Sequence, residues 1–179
     1  MINELSVHPK PTNKNAKIAF YILLAISAGV TVVYLIVDTY RGIIGLGALI
    51  FITAAVLIYT KYLSCEYYYD VTTDSRGPVF VVRQAIGKRM STLCRIDIAS
   101  IVKVQKETAQ QRRAHKTPTG YKRYNYLPTL IPKQTYRLTS TSRYEKAEIV
   151  VEISDEFATL LMEYANEARE LIRLSDDEI

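Results

Sequence analysis

Two long runs without a charged residue dominate the first third of the chain. Residues 18–37 and 43–60 contain no Asp, Glu, Lys, Arg or His. As α-helices they would measure about 30 and 27 Å, close to the hydrocarbon thickness of a bilayer. Backbone groups inside a bilayer have no water to bond, so each run is predicted to be helical. Only five residues separate the runs, which predicts an antiparallel helical hairpin.

Two other structures produce uncharged runs: a signal peptide followed by a core helix, or a buried hairpin of a soluble fold. The first run is longer than a signal h-region and ends in Val-Asp-Thr-Tyr rather than a small-x-small cleavage site. A soluble domain of this size seldom buries two helices that are apolar on every side. The sequence therefore favours a transmembrane anchor. Small residues for close packing are Ala25 and Gly29 on the first run, and Gly45 and Ala48 on the second.

The positions of Lys and Arg predict the orientation of this anchor. Positive residues flank the hairpin on the outside of both runs, whereas the connector carries only Arg41, beside Asp38. Because positive flanks favour the cytoplasm, both termini are predicted to be cytoplasmic in a multi-pass cell-membrane protein. The flanking residues are Lys10, Lys14, Lys17 and Lys61. The predicted regions are a tail at 1–17, the hairpin at 18–62, a cytoplasmic domain at 63–174 and an acidic tail at 175–179.

Beyond residue 63 the hydrophobic period changes to two, which predicts antiparallel strands. Strands are expected at 64–72, 79–85, 90–96, 99–106, 121–126, 134–140 and 147–153. The period then changes to 3.6, with Ser154 as the N-cap of a helix that ends near Arg173. Its predicted apolar stripe is Phe157, Leu160, Leu161, Tyr164, Ala168, Leu171 and Ile172. The predicted fold class is an α+β membrane protein in which a sheet or partial barrel is closed by an amphipathic helix.

This order of elements resembles bacterial pleckstrin-homology-like (PH-like) domain proteins in which a two-helix hairpin precedes the domain. The likeness covers residues 64–173. It depends on the aromatic strand Tyr67-Tyr68-Tyr69-Asp70 ending in Thr73-Asp74, the turn Gly87-Lys88-Arg89, and the segments Arg95 to Ile98 and Ile101 to Val104. The resemblance implies a bent antiparallel sheet or partial barrel and a role in binding rather than catalysis. Residues 107–133 align least and are predicted to form an exposed loop.

The charge of the predicted domain changes sign along the chain. Residues 61–151 hold 17 basic and 7 acidic residues, whereas residues 152–179 hold 2 basic and 9 acidic ones. A basic domain beneath a bilayer would attract anionic lipid head groups. Two other interpretations remain open. The excess of basic residues next to the hairpin reflects its membrane orientation alone, or the acidic helix pairs with the basic sheet. The predicted anionic-binding residues are Lys88, Arg89, Arg112, Arg113, Lys116, Lys122 and Arg123.

No catalytic or metal-binding motif is recognisable in the sequence. The two histidines, His8 and His115, lie far apart in predicted mobile segments, and the two cysteines, Cys65 and Cys94, favour packing roles. We therefore expect no enzyme activity, no cofactor, no metal and no nucleic-acid partner. The expected function is a membrane-anchored binding or scaffold module for a protein partner or anionic lipid. The alternative is an accessory subunit of a larger membrane transport or enzyme complex; the oligomeric state stays open.

Overall fold

The computed structural model describes residues 5–8, 13–75, 77–132, 134–142 and 145–177. These residues form two compact units, one built from apolar helices and the other from strands and the C-terminal helix. The described elements in chain order are β1 (Leu5–Val7), α1 (Lys14–Ile36), α2 (Arg41–Ile58), a π-helical turn (Tyr59–Leu63), β2 (Cys65–Asp74), β3 (Gly77–Ile86), β4 (Arg89–Asp97), a 3₁₀ turn (Ile98–Ser100), β5 (Ile101–Glu107), α3 (Ala109–Ala114), β6 (Lys122–Tyr126), β7 (Thr135–Thr141), β8 (Lys146–Val151) and α4 (Asp155–Asp177).

The prediction of two apolar helices of spanning length is confirmed. Together with the π-helical turn, the second helix extends to Leu63, so that each helical stretch has 23 residues and is long and apolar enough to cross a membrane. Nearly all of their apolar side chains are exposed. The hydroxyls of Thr31 and Thr53 donate to the carbonyls of Ser27 and Leu49, each 2.8 Å away and one turn back in the same helix. Both hydroxyls thus find acceptors within their own helices.

The two helices pack antiparallel in their unit. The ring of Tyr34 lies against Gly45, where an added Cβ would be 3.4 Å from Cε2 of the ring. At the other end of the pair, the rings of Phe20 and Tyr59 are 5.6 Å apart. A Cβ added at Gly29 would meet no described atom within 4 Å. The close approach predicted from small residues therefore occurs at Gly45 and not at Gly29.

The first sheet has the order β1-β2-β3-β4 and includes a strand that precedes the apolar helices. β1 runs antiparallel to β2, with Leu5 opposite Val71 and Val7 opposite Tyr69. Buried Asp70 connects three of the strands, because its carboxylate accepts a hydrogen bond from Ser6 of β1 and pairs with Arg83 of β3 at 3.2 Å. A segment interpreted from sequence as a tail thus contributes a strand to the domain.

The second sheet has the order β5-β7-β8-β6, so the described strands form two separate sheets and no closed barrel. β7 pairs antiparallel with both β5 and β8, as expected. The β6–β8 pair is parallel, which contradicts the prediction of a wholly antiparallel sheet. Two strands joined by a tight turn pair antiparallel. No tight turn joins β6 to β8, so this pair is free to be parallel.

The core of the strand-rich unit is formed by side chains from both sheets and from α4. Its largest fully buried members include Tyr69, Phe80, Leu138, Ile149 and Phe157. The hydroxyl of Tyr69 donates to the carbonyl of Tyr126 at 2.6 Å, so this aromatic residue of the first sheet also bonds to the second.

Helix α4 confirms the predicted amphipathic C-terminal helix but extends to Asp177. Ser154 caps it, with its hydroxyl 3.2 Å from the amide of Phe157. Leu161 is buried, whereas Leu171 and Ile172 are exposed, so the last part of the predicted stripe does not contact the core. Residues 175–177 of the predicted acidic tail are helical, and residues 178–179 lie outside the described residues.

Candidate functional site

The predicted basic loop contains a short helix and a strand. α3 begins after Thr108, whose hydroxyl accepts a hydrogen bond from the amide of Gln111 at 3.2 Å. The Gln111 side chain in turn accepts one from the amide of Thr108 at 2.9 Å, which completes a capping box. Arg112 and Arg113 occupy the last turn of this helix. The helix therefore presents two adjacent cations in a fixed backbone conformation.

The five predicted cations of this segment differ in their surroundings. Lys122 lies 3.2 Å from the carboxylate of Glu145, which also accepts a hydrogen bond from Tyr124 at 3.0 Å. These two contacts, Lys122 first, lower the pKa of Glu145. Arg123 points back to the carbonyl of Arg112, at 3.4 Å. Lys122 is thus largely neutralised by its ion pair.

Four cations of this segment form no ion pair within the described part of the chain: Arg112, Arg113, Lys116 and Arg123, of which Arg123 is held by the carbonyl of Arg112. Arg113 and Lys116 are exposed, and Arg112 is partly exposed. Lys88 and Arg89 also lack an ion pair among described residues, but they lie at the β3–β4 turn of the other sheet. The seven predicted residues thus divide between a cluster around α3 and β6 and a separate turn.

A buried charge cluster lies beneath α3, and sequence reasoning missed it. The cluster consists of Glu107, His115, Arg137 and Glu148. Arg137 of β7 forms an ion pair with Glu107 and lies 3.7 Å from Glu148 of β8. Burial lowers the pKa of Arg137, and the negative charge of Glu148 opposes that effect. Glu107 and Glu148 share the guanidinium of Arg137, and Glu148 also contacts His115.

His115 connects the charges of this cluster. Its Nε2 lies 2.9 Å from Glu148, and its Nδ1 lies 2.6 Å from Nη1 of Arg137. Nη1 of Arg137 also lies 2.7 Å from Nε2, so the guanidinium lies against the imidazole ring that contacts the carboxylate. The sequence predicts that His115 lies in a mobile segment, whereas it is the C-cap of α3 and contacts Glu148 of β8. His115 and Glu148 are 33 positions apart in sequence, so no local pattern indicates the pair.

The cluster holds both ends of α3 against the sheet. Glu107 directly precedes the N-cap residue Thr108, and His115 is the C-cap residue. Because both flanking residues contact Arg137 or Glu148 on the two central strands, the backbone of the basic helix is fixed at each end. The role of the cluster is therefore structural: its buried ion pairs fix the orientation of the exposed cationic helix α3.

A cavity of about 390 Å³ borders this cluster, between β5, β7 and α3. Its lining includes Gln105, Glu107, Gln111, His115 and Arg137, and it contains no described Ser, Thr or Cys that could act as a nucleophile. Both carboxylate oxygens of Glu107 and Nε of Arg137 have no hydrogen-bond partner among described residues, although Oε1 of Glu107 is in the ion pair with Arg137.

The cysteines and metal-ligand residues indicate no further chemistry. Cys65 is buried, and its Sγ lies 2.6 Å from the carbonyl of Lys61. Cys94 is partly buried beside Tyr126; burial raises the pKa of its thiol, and burial also raises the pKa of Tyr126 to about 12. Within the described ranges, no three His, Cys, Asp or Glu side chains are grouped as metal ligands.

Comparison with known proteins adds no relative from which a function could be transferred. The chain matches no protein-family model, and no curated protein or solved structure is significantly similar to it.

Proposed function

We propose that this chain is a two-span membrane protein that holds a basic, PH-like binding domain at the anionic cytoplasmic surface of the bilayer. In this proposal the domain binds lipid head groups and has no catalytic role. The helices are the anchor, and the unpaired cations around α3 and at the β3–β4 turn are the binding residues.

The exposed apolar surface of the helices supports the anchor. Side chains along both helices, such as Leu35, Ile43 and Ile50, are largely exposed in the unit that the helices form. Water contact with that much apolar surface is costly, and a bilayer removes the cost. Backbone groups within the helices bond internally, as a lipid-facing segment requires.

The pairing of β1 with β2 is the observation that carries the proposed topology. β1 precedes both apolar helices in the chain, and β2 follows them, yet Val7 lies opposite Tyr69 in one sheet. Two strands of one sheet must be on the same side of a membrane. If both helices cross the bilayer, the chain leaves and returns to the same side, in agreement with the Lys and Arg distribution.

The order of the strands supports a PH-like domain. Seven strands, β2 to β8, followed by an amphipathic C-terminal helix have the element order that the resemblance implies. The added strand β1 and the parallel β6–β8 pair depart from that layout. Both departures lie at sheet edges, where additional strands leave the central pairs unchanged.

The unpaired cations support binding to an anionic surface. A Lys or Arg close to an anionic membrane contributes about 1 kcal/mol. Arg112, Arg113 and Lys116 together would therefore contribute about 3 kcal/mol at low salt. This attraction should decline as the Debye length falls from about 10 Å at 0.1 M to about 3 Å at 1 M salt.

A topology experiment tests the anchor. Reporter fusions after Tyr40, in the connector between the helices, and at the C-terminus should report opposite sides of the membrane. A fusion at the N-terminus should agree with the C-terminal one. Reports from the same side at Tyr40 and at the C-terminus would exclude the two-span arrangement.

A hydrogen-exchange experiment tests the binding function. The full chain is placed in nanodiscs with or without anionic lipid, and amide protection is measured over residues 109–126. Anionic lipid should increase protection, and changing Arg112, Arg113 and Lys116 to Gln should remove that increase. A matched control changes Arg95, Lys106 and Lys122 to Gln; it alters net charge equally, but each of these cations already has a carboxylate partner. Equal protection in the wild type and the first variant would contradict the proposal.

A further inference from the structure

The β3–β4 hairpin extends beyond the core of its sheet. The register shifts between Val82 and Arg83, and the ladder then continues to Ala85 opposite Met90 and Ile86 opposite Arg89. Gly87 takes a φ of 59°, the left-handed conformation that the turn requires. Every residue from Ile86 to Leu93 is exposed.

The tip of this hairpin combines exposed apolar and basic side chains. Ile86 is 51% exposed and Met90 55% exposed, on either side of Lys88 and Arg89. Neither cation forms an ion pair among described residues, so their charges remain available. Apolar groups beside Lys and Arg are the composition that binds the interface of an anionic bilayer. In water alone, these four side chains would have no binding partner comparable to the bilayer interface.

Only a few residues of the chain separate the second apolar helix from the start of β2. β2 and β3 are neighbours joined by only two residues, so they run antiparallel and β3 returns towards the start of β2. Nε2 of Gln84 lies 3.4 Å from the hydroxyl of Tyr67, in agreement with this return. Tyr67 follows Leu63 by four residues, a chain length of at most about 14 Å. A membrane that contained the second helix would therefore be within reach of the tip.

We infer that the β3–β4 tip docks into the anionic bilayer that anchors the chain. Ile86 and Met90 enter the boundary between head groups and acyl chains, and Lys88 and Arg89 contact lipid phosphates. This inference rests on the proposed function and adds a specific insertion site to it. It assigns Lys88 and Arg89 a role distinct from that of Arg112, Arg113 and Lys116. The described helix α3 carries no exposed large apolar side chain, so its cations stay outside the acyl-chain region.

The absence of tryptophan from the chain allows a direct depth measurement. The full chain carrying the single substitution Met90→Trp is placed in anionic nanodiscs with brominated or unbrominated acyl chains. Bromine quenches tryptophan only at short range, so a loss of emission reports insertion. Ile86→Trp is a second, independent variant for the case in which Met90→Trp does not fold.

Two matched variants separate this inference from the proposed anchor. Leu49→Trp lies at the middle of α2 and should be quenched if that helix spans the bilayer. Ser75→Trp lies at the opposite end of β3, about 30 Å from the tip for a ten-residue strand, and should keep its emission. Quenching at Met90→Trp and Leu49→Trp, without quenching at Ser75→Trp, would support both the docking of the tip and the two-span anchor.

The remaining outcomes are equally informative. Quenching at Leu49→Trp alone would overturn tip docking and retain the anchor, and the tip would then be available to a protein partner. Quenching at Met90→Trp alone would support docking and overturn the two-span anchor.

In the Met90→Trp background, changing Lys88 and Arg89 to Gln should weaken partitioning of the tip by roughly fivefold per residue. Quenching that is unchanged by these two substitutions and equal in uncharged nanodiscs would overturn the role of anionic lipid.

Discussion

The apolar helices and the strand-rich unit differ in where their polar side chains find hydrogen-bond partners. In the helices, Thr31 and Thr53 bond to carbonyls four residues earlier. In the strand-rich unit, Tyr69 bonds to Tyr126, and His115 bonds to Glu148. The helices therefore depend on local contacts and on their surroundings, whereas the sheets depend on contacts between distant segments. Substitutions should accordingly have different consequences in the two units.

The largest effect is expected for a charge placed under α4. Leu161 is 1% exposed, and Leu161→Asp should lower the stability of the strand-rich unit by about 4 kcal/mol because a buried charge lacks a partner. Leu171→Asp, on the same helix at a residue that is 65% exposed, should change stability by less than about 0.5 kcal/mol. Thermal unfolding of the full chain in mild detergent measures both. Equal melting temperatures would show that α4 does not cover the core.

A smaller loss is expected when the buried cluster loses one carboxylate. Glu148→Gln removes the carboxylate beside His115, whereas Arg137 keeps its ion pair with Glu107, and the loss of stability should be about 2 kcal/mol. Hydrogen exchange in α3 should increase as well, since His115 then holds the end of that helix less firmly. The control is Glu145→Gln, which removes an exposed partner of Lys122 and should cost at most about 1 kcal/mol. Similar losses in both variants would contradict the distinction between buried and exposed pairs.

In the apolar helices we expect an effect that depends on shape rather than charge. Gly45→Leu should separate the helices near Tyr34 and cost about 1–2 kcal/mol, because the added side chain meets that ring. A Cβ added at Gly47 would meet no described atom within 4 Å, so Gly47→Leu should be tolerated better. Thermal unfolding in nanodiscs compares the two. A larger loss at Gly47 than at Gly45 would exclude this packing.

The smallest effect concerns the exposed carboxylate at the start of α4. Hydrogen bonds from Tyr136 and Lys106 lower the pKa of Asp155. A lowered folded-state pKa gives stability that is present above the ordinary Asp pKa of about 3.9 and is lost as the pH falls through the lowered value. The melting temperature difference between wild type and Asp155→Asn should therefore be constant near neutral pH and shrink below about pH 4. Asp97→Asn, at an exposed carboxylate without an ion pair among described residues, should show a smaller difference at neutral pH.

Periodicity and composition predicted most of the fold because most elements carry their own signal. The apolar runs and the alternating strands are recognisable within a single segment, and so is the buried part of α4. The capping box at Thr108 and Gln111 was also readable, as a Thr followed three residues later by Gln, and would have indicated α3. It was missed because the segment has no hydrophobic period.

Other features could not be predicted because they depend on pairing between distant segments. Strand β1 has only three residues and is recognisable only through its ladder with β2. The parallel direction of β6 follows from its pairing with β8, and the contact of His115 with Glu148 follows from the packing of α3 on the second sheet. Of the candidate site, the sequence therefore identified the exposed cations but not the buried pairs that orient α3.

The pairing of β1 with β2 also has a consequence for the order of folding. Leu5 leaves the ribosome long before its partner Val71, and both apolar helices are synthesised in the interval. Contacts of such high sequence separation form late, since the intervening chain must first be brought together. The first sheet can therefore begin to form only after both helices have been synthesised, and until then β1 has no strand to pair with. The short N-terminal strand thus remains without its partner while the whole hairpin is made.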